Sequence, residues 1–88
     1  MPSIEGAILA EKAASLGHAG HLLEKALAKL RAAGPDEDRE VLLAEAADRA
    51  WAYLTQRELC GLPDQKQAIE DFDIPGEVQV RIGARVWP

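Results

Sequence analysis

Apolar positions in the first part of the chain fall at Leu9, Ala13, Leu16, Gly20, Leu23, Leu27 and Leu30, in steps of 4, 3, 4, 3, 4 and 3. A seven-residue repeat of this kind is the seam of one helix facing another. Ile8, Leu22 and Ala26 widen the stripe to that of a helix in a globular bundle. Ser3 is placed to cap the helix start with its hydroxyl, and Lys25, Lys29 and Arg31 put cations in the last turns, where the helix dipole favours them. Gly34 and Pro35 then supply a glycine stop and a helix breaker. The pattern predicts a helix over residues 4–33.

A second periodic stretch opens with Asp36, Glu37 and Asp38, acids that suit the free amide groups of a helix start. Leu43, Ala47, Ala50 and Leu54 form its apolar row, with Ala44 and Trp51 alongside, and Glu45 and Arg49 have the spacing of a surface ion pair. Gly61 and Pro63 close it, giving a helix over 37–59. Two long helices joined by a short loop become antiparallel neighbours.

Asp64 and Gln67 have capping-box spacing, and Ala68, Ile69 and Phe72 give the short segment 64–72 an apolar edge, which predicts a third helix. The last segment reads in two ways. Val78, Val80, Ile82, Ala84 and Val86 alternate with Gln79, Arg81, Gly83, Arg85 and Trp87 at the period of a strand. Pro75 at a first helical position, the Ile74–Val78 spacing and Gly83 as a stop describe instead a two-turn helix over 75–82. A solitary strand would leave its backbone groups unpaired. The expected fold is therefore all-α: a long antiparallel hairpin and two short C-terminal helices, with a strand left open for the last, in one domain spanning residues 1–88.

Composition supports this and narrows the function. Alanine contributes 16 residues and leucine 11, both strong helix formers, whereas aromatics make up 5% of the 88 residues. The net charge of −5 argues against a bare binder of nucleic acid or of anionic membrane, both of which attract basic patches. No apolar run is long enough for a membrane span, no signal-peptide pattern opens the chain, and the lone Cys60 suits a reducing cytoplasm.

Candidate chemistry is sparse. His18 and His21, three apart, with Glu24 three further on, have the spacing for one metal ion, but no second cluster completes a tetrahedral set, and a solvated histidine pair is the simpler expectation. Cys60 falls at a helix end whose dipole disfavours a thiolate, so it reads as a small packed side chain. There is no phosphate-binding glycine loop and no nucleophile elbow. Residues 64–82 have the outline of a helix-turn-helix, yet the second helix would offer only Gln79 and Arg81 to DNA, and Glu70 and Asp71 on the first would repel phosphate. No catalytic residue, cofactor or metal is assigned.

The segments Gln56-Arg-Glu-Leu-Cys-Gly-Leu62 and Ile74-Pro-Gly-Glu-Val78 resemble those of a small bacterial family of helical proteins of unknown function. The likeness is closer in the second half of the chain than in the first. It implies a compact helical fold and carries over no catalytic or binding residue.

The sequence is thus read as a non-enzymatic helical oligomerisation or protein-interaction module, with a nucleic-acid-associated regulator as the alternative. A helix of about 30 residues is about 45 Å long, against a diameter of about 30 Å for a compact globule of this size. Leucines beyond the reach of the second helix would form an exposed apolar patch, which predicts a homodimer. The expected interface residues are Leu9, Leu16, Gly20, Leu23, Leu27, Leu30 and Trp51. Gly20 is expected to admit a close backbone approach, so that Gly20→Ala costs stability, and Trp51 to bury much of its ring against the first helix.

Overall fold

A computed structural model of the chain describes residues 4–62 and 64–86. They form four helices: α1 (Ile4–Arg31), α2 (Arg39–Leu59), α3 (Gln65–Phe72) and α4 (Gly76–Val86). No strand occurs among the described residues, and the last segment is helical. The proposed cap at Ser3, the stop at Pro63 and the alternating position Trp87 lie outside the described residues.

α1 runs unbroken through Gly17 and Gly20. It ends at Arg31 and not at 33, in a tight turn where the Ala32 and Ala33 amides donate to the carbonyls of Ala28 and Leu30. Gly34 does not take up a positive φ, so the stop is made by this turn and not by a left-handed glycine cap. Of the three acids before α2, Asp38 is the cap: its carboxylate accepts from the Glu40 and Val41 amides at 3.1 and 3.3 Å. Asp36 and Glu37 remain in the connecting turn, which moves the start of α2 to Arg39.

The end of α2 does use glycine. Gly61 sits at φ 78°, and the Leu62 amide reaches back to the Arg57 carbonyl at 2.8 Å, satisfying carbonyls that a helix end leaves free. Asp64 caps α3 by accepting from the Gln67 amide at 3.1 Å. Asp73, left-handed at φ 50°, closes α3, and the Ile74 amide donates to the Ile69 carbonyl. Two side chains complete this corner. Arg31 donates to the carbonyls of Phe72 and Asp73 at 3.0 and 2.8 Å, placing a cation at the negative end of α3. The Gln79 side chain donates to the Ile74 carbonyl at 2.9 Å. α4 then continues past Gly83 to Val86, longer than the two turns expected, since glycine inside a helix weakens it without ending it.

The core fills the hairpin and its contact with α4. Leu23, Leu27 and Leu30 of α1 meet Leu43, Ala46, Ala47, Ala50 and Tyr53 of α2, and Ile74 and Val78 close the open side. Val78 is wholly buried, which ties α4 to α2 by packing. Ion pairs Arg39–Glu77 and Arg81–Glu40 add to this contact at the surface. The Arg39 hydrogen bonds hold the Glu77 carboxyl below its ordinary pKa, against an opposing effect of desolvation and with some help from the attraction between the charges, and the same contact raises the pKa of Arg39.

Trp51 departs from expectation. The buried row of α2 runs Leu43, Ala46, Ala47, Ala50, Tyr53 and Leu54, and Trp51 stands at its edge, 38% exposed. It lines a hollow with Leu54 and Ile82, on the α4 side and not against the leucines of α1. The buried aromatic is Tyr53, whose ring meets Phe72 edge-on at 4.7 Å between centroids.

Candidate interaction surface

The radius of gyration, 14.7 Å, exceeds the roughly 12 Å of a compact globule of this length, and the long dimension is 54 Å. The reason lies in the helix lengths. At 1.5 Å per residue α1 is about 42 Å long and α2 about 31 Å, so one end of α1 has no partner. That end is the N-terminal one. The Cys60 thiol, just past α2, donates to the Lys12 carbonyl at 3.6 Å, which marks where α2 stops alongside α1. Before Lys12, Ile4, Ile8 and Leu9 are exposed by 80, 45 and 66%. Leu59 and Leu62, flanking Cys60, are 63 and 46% exposed. Five large apolar side chains therefore gather at one end of the molecule.

The expected interface residues are divided by the structure. Leu23, Leu27 and Leu30 are consumed by the chain's own core. Gly20 is buried, and what approaches it is not backbone: a Cβ there would lie 3.4 Å from the Phe72 ring and 3.9 Å from the Tyr53 ring. Leu16 is half-buried against the core, Leu9 continues the same seam beyond the end of α2, and Trp51 faces partly outward near α4. Ile8, expected to widen the core stripe, is instead exposed beyond the end of α2, and Ile4, Leu59 and Leu62 join it as surface groups absent from the expected interface. The signal for Ile4 is its spacing of four from Ile8, off the leucine row and on a separate face.

Two grooves flank α1. One, of about 260 Å³, is lined by Ser15, His18, Ala19 and Leu22 of α1 and by Arg49, Ala52 and Gln56 of α2. The other, of about 440 Å³, runs past Leu16 and His21 beneath Tyr53 and Phe72. His18 and His21 thus open into different grooves, and no cluster of three metal-ligating side chains occurs among the described residues. Cys60 is half-buried against α1. The groups a DNA-reading helix would present are engaged within the chain: Gln79 on the Ile74 carbonyl and Arg81 on Glu40. Among the described residues no helix is long and apolar enough to cross a membrane.

The architecture is that of a small all-helical protein, a lopsided hairpin closed by two short helices. The chain belongs to the Family of unknown function (DUF6665), whose model matches residues 1–86. No curated protein and no solved structure matches it significantly.

Proposed function

We propose that the protein is a non-enzymatic, self-associating helical module of the cytoplasm, and that two copies join through the N-terminal end of α1. The observation that carries this reading is the exposure of Ile4, Ile8, Leu9, Leu59 and Leu62 at one end of an elongated molecule. Their combined exposed area is on the order of 500 Å², against the ~800 Å² per partner of a standard specific interface. A twofold dimer covers both patches with one surface, and closed twofold dimers are the commonest oligomers. Light scattering across a concentration series tests it: a dimer mass at tens of micromolar is expected, and a monomer at several hundred micromolar overturns the reading. Salt-sensitive retention of random duplex DNA by the protein would overturn it in favour of a nucleic-acid role.

A further inference from the structure

We infer that the groove between Ser15 and Leu22 is the seat of Ile4 and Ile8 from a second copy, with the two α1 helices antiparallel. This inference rests on the self-association just proposed and specifies its geometry. Ile4, Ile8, Glu11, Ser15, His18 and Leu22 lie on one face of α1, because at 3.6 residues per turn steps of 4, 3, 4, 3 and 4 return to the same side. That face is not the core seam, which holds Leu23, Leu27 and Leu30. Its first half carries the exposed isoleucines, and its second half forms the α1 wall of the groove of about 260 Å³.

The spacing reads the same in both directions. Two copies laid antiparallel about a twofold axis near position 13 therefore put Ile4 opposite Leu22, Ile8 opposite His18 and Glu11 opposite Ser15. Each copy supplies the two apolar knobs that the other copy's groove lacks. The groove is shaped for them: Ala19 and Ala52 keep its floor low, and Leu22 gives it an apolar end. Its polar lining is Ser15, His18, Arg49 and Gln56. Ser15 and Gln56 offer hydrogen-bond donors where Glu11 of the second copy arrives, so that carboxylate need not enter the contact unpartnered. The paired track covers about 18 residues, or roughly 27 Å, the length of a sizeable helix–helix contact. A second copy is the occupant because both halves of the contact stand on the same face of the same helix.

Cross-linking tests the register. In a Cys60→Ser background, the double variant Ile8→Cys/His18→Cys brings the two new thiols together only between copies. Within one chain they are about 15 Å apart along α1, as are like positions across the axis. Mild oxidation should convert the double variant to a covalent dimer, while either single variant stays largely uncross-linked. Ile8→Asp, placed on an exposed position, should raise the dimer dissociation constant at least tenfold with an unchanged far-ultraviolet circular dichroism spectrum. If the parent is a dimer but the double variant does not cross-link and Ile8→Asp still dimerises while Leu59→Asp dissociates, this pairing is overturned and self-association through the end patch stands. A monomeric parent at several hundred micromolar overturns both.

Discussion

Removing the Tyr53 ring should cost the fold more than removing the larger Trp51 ring. Tyr53 is 8% exposed, meets Phe72 edge-on at 4.7 Å, and has the Arg57 guanidinium 5.9 Å from its ring centre. Truncating a buried aromatic to alanine typically costs about 3–5 kcal/mol. Within that figure, an edge-to-face aromatic pair is worth about 0.5–1.5 kcal/mol beyond area burial, and a partly buried cation over a ring about 0.5–2 kcal/mol. A chain of this length is stable by roughly 4–13 kcal/mol, so Tyr53→Ala removes a large share. Urea unfolding followed by circular dichroism, at one fixed protein concentration, gives the values. The single variants Tyr53→Leu and Phe72→Leu with the double variant then isolate the pair, and a coupling of about 1 kcal/mol is expected. A loss within about 1 kcal/mol for Tyr53→Ala, or zero coupling with Phe72, would refute the placement of this ring in the core.

Trp51→Ala should cost less than Tyr53→Ala in the same assay, since Trp51 is 38% exposed and borders an open hollow beside Leu54 and Ile82; an equal cost would show that the hollow closes in solution. Gly17→Ala, with open space around the added methyl, should stabilise by about 1 kcal/mol and raise the Tm by about 4–8 °C. Gly20→Ala should also stabilise, but by less, because its methyl meets the Phe72 ring at 3.4 Å; a net loss would mean that Phe72 is locked and restore the overpacking expected from sequence. Glu77 is held below its ordinary pKa by Arg39, so its contribution is present above the unfolded carboxylate value of about 4.3 and is lost as the pH falls through the lower folded value. The stability gap between the parent and Glu77→Gln should therefore be fully open at neutral pH and shrink in acid; a gap that widens below pH 4 would contradict the pairing.

What the sequence made legible was local. The leucine repeat of α1, the alanine-rich row of α2 and the Asp64 cap depend on neighbours within a turn or two, and all are found, whereas Pro75, expected as a first helical residue, stands just before α4 and accepts from the Val78 and Gln79 amides. Misplacements occurred where several residues of one chemistry compete. Asp36, Glu37 and Asp38 are equivalent in composition, and only backbone geometry selects Asp38 as the cap. Tyr53, three residues after Ala50 and seven after Ala46, lies on the buried row, while Trp51, expected to be buried, is a step of about 100° off it. Contacts distant in sequence left no signal at all. Arg31 reads as a cation for its own helix end, yet its guanidinium serves the end of α3, 41 and 42 residues away.

The same division explains why the surface was half foreseen. Helix length follows from local sequence, so an α1 longer than its partner could be read without knowing any contact. Which leucines are left over depends on where α2 stops, and that is fixed by Gly61 and the Cys60–Lys12 contact. Once α2 ends beside Lys12, the seam residues from Leu23 onward belong to the chain's own core, and only Leu9 is left beyond its reach. One face away, Ile4 is exposed by 80% and Ile8 by 45%. A helix that served only its own hairpin would gain nothing from Ile4 and Ile8 at solvent-facing positions, since polar residues there would keep the helix and improve solubility. Their presence on the face that also carries the Ser15–Leu22 groove is the physical ground for reading α1 as an element with two partners, α2 on one side and a second copy on the other.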